Sequence, residues 1–217
     1  MEKVEKYLKE AAMDVRVFDE VEPEPSIETV IKGADAAKEY GPDWFVALGG
    51  GSCQDAAKAI WVLYERPDIK VGEISPLVKL GLRKKARLIS IPTTSGTGSE
   101  VTWAVVITDA KDKRKMELAS KETTADISIL DPGFAFSMPP RLTADTGIDA
   151  LTHAIEAYVS QWRNDFSDAL AAKAIEVVFG YLSRSYSNPA DKEAREKMHY
   201  AATMAGLAFS NSQIGVA

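Results

Sequence analysis

The run Gly49-Gly50-Gly51-Ser52 constrains this chain more than any other stretch. It follows a continuous apolar segment, Trp44 to Leu48, a pattern suited to a strand buried on both faces. A helical pattern runs on from about Gln54 to Tyr64. A strand that empties through glycines into a helix leaves the first amide groups of that helix open to a ligand. Those amides and the helix dipole together favour an anion. Glycine also serves a tight turn that needs positive φ. Three in succession exceed what one turn demands, so the arrangement points to a phosphate site, with a pyrophosphate as its natural guest. The run does not match the G-x-G-x-x-G fingerprint and takes no weight from it.

The other elements set this turn in an α/β frame. Residues 2–12 carry Val4, Leu8 and Ala12 at helical spacing, an amphipathic surface helix. Val15, Val17 and Val21 predict a short strand. Ser26 and Glu28 mark a helix start, and that helix stops near Gly41-Pro42. Leu88 to Ile91 is a second buried strand, Val101 to Thr108 is strand-like, Asp112 to Arg114 is a polar turn, and Ile127 to Leu130 is another short strand. Alternating helices and strands imply a mainly parallel sheet. From Pro139 onward the pattern is helical, over 143–160, 165–184 and 190–209. The expected division is an α/β nucleotide-binding domain over 1–135 and an all-helical domain over 136–217.

Composition excludes several classes. With 217 residues, 46% apolar and 27% charged, the chain can bury a sizeable core. A formal charge of −6 argues against a nucleic-acid partner. The densest basic run, Arg83-Lys84-Lys85 with Arg87, reads as a solvated surface turn. Cys53 is the one cysteine, so no intrachain disulfide forms, and a reducing compartment fits. No apolar stretch approaches the ~20 residues of a membrane span, and the opening Met-Glu-Lys-Val-Glu-Lys is not a signal peptide. A cytoplasmic location is expected.

Three further features could carry chemistry. The loop after the second strand offers Thr93, Thr94, Ser95, Thr97 and Ser99 with two glycines. Ligands of open α/β sheets bind beyond the carboxyl ends of the strands, beside the glycine turn. Asp149 and His153 stand four apart in a helix, on one face and within reach of one metal ion, with Glu156 three further on. The same spacing also suits an ordinary hydrogen-bonded pair. Cys53, at the start of a helix, reads as a small packed side chain rather than a nucleophile. His199, beside Met198 and Tyr200, reads as structural.

These pieces resemble, in order, the iron-containing (group III) alcohol dehydrogenases. Ala47-Leu48-Gly49-Gly50-Gly51-Ser52, with Asp55 and Ala57-Lys58, looks like the family's glycine motif. Pro92 to Thr102 looks like its threonine motif. Met138-Pro139-Pro140 and then Thr146 to Tyr158 look like its first metal signature, and Ala205 to Asn211 like the stretch leading to its second. The resemblance implies a Rossmann-like nucleotide domain followed by a helical one. It implies NAD or NADP bound by Gly50, Gly51 and Ser52 at the pyrophosphate, by Thr93, Thr94 and Thr97 towards the nicotinamide, and by Lys115. It makes Asp149 and His153 two of four ligands of Fe²⁺, with Zn²⁺ as the alternative, and a small alcohol or aldehyde the substrate. The chain resembles a central part of such an enzyme, lacking the N-terminal strand and the C-terminal helices that carry two further histidines. Partners expected on that basis are a second copy, in a homodimer, or a complementing C-terminal fragment; the alternative function is nucleotide binding without catalysis. Glu24 departs from the family, which has Asn between two prolines, and Ala104 stands where some members use Asn.

Overall fold

The computed structural model describes residues 2–214. Helix α1 (Glu2–Glu10) buries none of its residues. The strand expected over residues 15–21 does not form: this segment pairs with no neighbour among the described residues. Extended backbone becomes a strand only where a ladder partner takes its N–H and C=O groups. Here Phe18 and Val21 pack against the main core instead, and the first backbone pairing is an isolated parallel bridge from Ser26 to Thr108. Helix α2 (Ile27–Tyr40) starts at Ser26, whose Oγ accepts the Thr29 amide at 3.2 Å, and ends at Gly41 in the left-handed region, φ 72°.

Strand β1 (Trp44–Gly49) leads into α3 (Gly51–Glu65), and β2 (Arg87–Pro92) follows. A hairpin comes next, β3 (Ala104–Asp109) and β4 (Arg114–Ala119), then β5 (Ile127–Ser128). Strands β1, β2 and β5 form a parallel sheet in that order, and β3 and β4 a separate antiparallel pair. The register Leu48↔Ile91 and Gly49↔Pro92 brings the carboxyl ends of β1 and β2 side by side. Three expectations need correction. β1 is an edge strand with one open face: Trp44 and Val46 are 40% and 39% exposed, while Ala47 is buried towards α3. β3 begins at Ala104 because Ser99–Val101 turn as a 3-10 helix. Residues 114–119 form a strand beyond the expected polar turn; their charged side chains point outward and only Leu118 is buried.

The basic run is also more than a solvated turn. The Arg83 guanidinium donates to Glu122 O at 2.8 Å, Thr124 O at 2.7 Å and Asp126 Oδ1 at 2.8 Å, and lies 5.0 Å from the Trp61 ring centroid. Arg83 thereby joins the segment before β2 to the segment before β5. The core of this part gathers Val30, Trp61, Leu88 and Ile107.

Helices α4 (Pro140–Val159), α5 (Asp165–Ser187) and α6 (Lys192–Ser212) agree with the expected helical stretches to within three residues at each end. They pack through small side chains, among them Ala154, Ala174 and Ala205. Buried Arg195 on α6 donates to Thr143 Oγ1 at 2.5 Å and to Met138 O at 2.9 Å, fixing the start of α4. Among the described residues, no helix is long and apolar enough to cross a membrane.

Candidate functional site

The paired ends of β1 and β2 bring the glycine turn and the threonine loop together. The Thr93 amide donates to Gly49 O at 3.0 Å. Helix α3 opens at Gly50 with no side chain capping it, so its first amides keep their donor capacity for another group. A Cβ built on Gly51 would stand 2.7 Å from Thr97 Cγ2, closer than side chains pack, so glycine is needed for the loop to lie on the turn. A Cβ on Gly50 would be 3.1 Å from Thr94 Cγ2. Thr93, Thr94 and Thr97 are half-buried along this seam. Ser52 Oγ accepts the Glu24 amide at 3.2 Å, and the Glu24 carboxylate pairs with Lys115 Nζ at 2.6 Å. Lys115 sits exposed on β4, linked to the turn through Glu24.

A buried polar network stands behind the turn. Lys58, on α3 and fully buried, donates to Ser99 Oγ at 2.8 Å and Ala104 O at 3.0 Å, with Asp55 Oδ1 at 3.7 Å. Ser99 Oγ donates to Asp55 Oδ1 at 2.6 Å, and Asp55 Oδ2 accepts the Val106 amide at 2.9 Å. The Ser99 amide in turn donates to Thr97 Oγ1 at 3.2 Å. Next along the chain, buried Glu100 accepts Thr203 Oγ1 of α6 at 2.6 Å. Burial pushes the Asp55 carboxyl up and the Lys58 ammonium down, each opposed by the other's charge. Burial likewise raises Glu100, opposed by the Thr203 hydrogen bond. The glycine motif contains Asp55 and Lys58, but its spacing does not report this network. The available signal was two charged residues within a run of Ala56, Ala57, Ala59 and Ile60, where a buried charge needs a partner.

The threonine loop also meets α4. A Cβ on Gly96 would be 2.9 Å from Thr146 O, and Thr146 precedes Asp149 by three residues on the same helix. His153 Nε2 lies 3.6 Å from Asp149 Oδ1. Two donors each ~2.1 Å from a tetrahedral cation stand ~3.4 Å apart, so the pair has the spacing of a shared ion. The His153 ring lies 4.7 Å from the Phe209 ring, and its buried Nδ1 has no hydrogen-bond partner among the described residues. Glu156 is half-buried nearby on α4, yet no group of three or more His, Cys, Asp or Glu side chains suited to a metal gathers among the described residues.

His199 lies apart from that pair. Its Nδ1 is 3.1 Å from Ser95 Oγ, its Nε2 has no hydrogen-bond partner among the described residues, and burial holds it below the usual histidine range against a smaller opposing pull from Asp131. It serves to seat the threonine loop on α6. Burial raises the Cys53 thiol, in keeping with a packed, protonated side chain.

Comparison with known proteins converges on one family. Residues 1–132 match the model of the iron-containing alcohol dehydrogenases, and residues 143–217 match that of the C-terminal part of the same family. The chain is 50% identical over its whole length to an NADPH-dependent butanol dehydrogenase of Clostridium saccharobutylicum, of which it covers 55%. Its fold superposes on an iron-containing alcohol dehydrogenase from Thermococcus thioreducens with a TM-score of 0.90 at 40% identity, over 99% of this chain and 57% of that one. It also superposes on a sulfoacetaldehyde reductase from Bifidobacterium kashiwanohense solved with NAD⁺, with a TM-score of 0.87 at 34% identity, over 98% and 57%. The chain thus spans little more than half the length of these relatives. With the order of motifs, the parallel sheet and both family models in agreement, this chain belongs to the iron-containing alcohol dehydrogenase family.

Proposed function

We propose that this chain supplies the cofactor cradle and two metal donors of an NAD(P)-linked alcohol dehydrogenase, which moves a hydride between an alcohol carbon and the nicotinamide. One observation carries the reading. The loop that lies on the glycine turn at Thr97 also lies on α4 at Gly96, one turn before Asp149, so a single segment joins the phosphate site to the metal donors. The uncapped start of α3 suits the pyrophosphate, held by the amides around Gly50, Gly51 and Ser52. Thr93, Thr94 and Thr97 line the path towards the nicotinamide, and Lys115 offers a cation to the cofactor. Asp149 and His153 hold the metal. When bound, the cofactor supplies the hydride acceptor, and Fe²⁺ or Zn²⁺ the Lewis acid that polarises the substrate oxygen. The relatives named for butanol and sulfoacetaldehyde support a small alcohol or aldehyde as substrate.

A second reading, nucleotide binding without turnover, draws on the metal site. Asp149 and His153 are joined by no third donor among the described residues, and metal affinity depends on the full ligand set. One experiment separates the two: NADH and NADPH fluorescence titrations with and without Fe²⁺ or Zn²⁺, alongside oxidation of a short primary alcohol. Metal-dependent turnover supports the first reading. Binding without turnover supports the second. Absence of binding removes both.

A further inference from the structure

Lys115 on β4 is already paired with an internal anion. Pro23 and Pro25 flank Glu24, which is held at φ 58°, in the left-handed region that a non-glycine residue seldom occupies. Two backbone ties hold that segment in place. The Thr108 amide donates to Pro25 O at 2.8 Å, and the Glu24 amide donates to Ser52 Oγ at 3.2 Å. In the hairpin register Thr108 faces Lys115, so stitching Pro25 to Thr108 delivers Glu24 to Lys115. The outcome is an ion pair of 2.6 Å whose glutamate is one hydrogen bond from the first turn of α3.

Resting on the cofactor-cradle reading above, we infer that Glu24 sets cofactor affinity by competing with the cofactor's phosphates for Lys115. Both side chains are more than half exposed, at 57% and 62%, so the pair is solvent-screened and can open at small cost. Cofactor binding then exchanges Lys115 from the Glu24 carboxylate to a phosphate oxygen. The freed carboxylate remains anchored by its backbone beside Ser52, where it opposes the incoming negative charge. Glu24 therefore lowers affinity for an anionic ligand at this turn, and it does so chiefly through Lys115.

The test is a double-mutant cycle on cofactor affinity, read by fluorescence titration with NADH and, separately, NADPH at low and high salt. Glu24→Gln keeps the shape and removes the charge. It is expected to tighten binding about two- to fivefold at low salt, the range of an exposed ion pair, with the gain shrinking at high salt. Lys115→Met is expected to weaken binding, and in its background Glu24→Gln is expected to have a smaller effect. Unchanged or weaker binding by Glu24→Gln, in a protein whose parent binds cofactor, overturns the inference. An equal gain with and without Lys115 also overturns it. Failure of the parent protein to bind either cofactor overturns the cradle reading itself and removes this inference with it; circular dichroism on each variant keeps loss of fold apart from these outcomes.

Discussion

Replacing Lys58 by Met isolates the energetic role of the buried network. Methionine keeps the aliphatic stem in its fully buried slot and deletes the ammonium, with its hydrogen bonds of 2.8 Å to Ser99 and 3.0 Å to Ala104 O. Asp55 is then left without its cation, and removing one member of a buried pair costs about 3–5 kcal/mol. The lower end applies here, because Asp55 keeps the Ser99 hydroxyl and the Val106 amide, and burial already favours its protonated form. About 3 kcal/mol in a domain of this size lowers Tm by about 6–12 °C. The pH dependence has a definite sign. A carboxyl whose folded-state pKa is raised contributes stability at low pH that is lost as pH rises through that pKa. Without the Lys58 charge that opposes it, the burial-driven rise of Asp55 is larger in the variant than in the parent, so the deficit of Lys58→Met is smaller at pH 5 than at pH 7.5. Urea denaturation of Lys58→Met, Asp55→Asn and the double variant at both pH values measures this, and the double variant is expected to lose less than the sum of the two singles. A cost below about 1 kcal/mol for Lys58→Met, or strictly additive losses, would refute the account of the network.

Three shorter predictions follow from other parts of the molecule. Gly51→Ala places a Cβ 2.7 Å from Thr97 Cγ2; displacing the loop forfeits at least one charge-assisted hydrogen bond, and NADH affinity falls about tenfold or more, as read by fluorescence titration. The Glu22 carboxyl is pushed up by burial, but hydrogen bonds from Thr29 and Ser26 outweigh this and bring it from 4.5 to about 2. Its contribution is present above pH 4.5 and lost as pH falls towards 2, so the stability gap between the parent and Thr29→Val, measured by thermal melts, is open at neutral pH and closes on acidification. Asp149→Asn and His153→Ala each weaken Fe²⁺ or Zn²⁺ binding about tenfold or more, whereas His199→Ala leaves it unchanged in calorimetric titration; equal losses in all three would detach the metal from α4.

The strongly patterned elements were readable from the sequence. The apolar run before Gly49, the Ser26 cap and the three long helices follow local rules of periodicity and capping. Elements that depend on distant partners were not. Residues 15–21 have the composition of a strand but no neighbour to pair with among the described residues. Residues 114–119, rich in charge, become a strand because β3 supplies a ladder from Ala104↔Ala119 to Asp109↔Arg114. The adjacency of the glycine turn and the threonine loop was expected from the topology of α/β sheets, and the parallel register of β1 and β2 realises it. The bridges from Lys58 to Ser99 and from Glu100 to Thr203 span 41 and 103 positions, so no local pattern reports them.

Hydrogen exchange on the amides of the glycine turn tests the central claim most directly. With saturating NADH or NADPH, the account predicts slowed exchange at residues 50–53 and 93–98, where the uncapped start of α3 and the threonine loop take up the cofactor. Protection confined to other segments, or none at these two while cofactor binds, would contradict it.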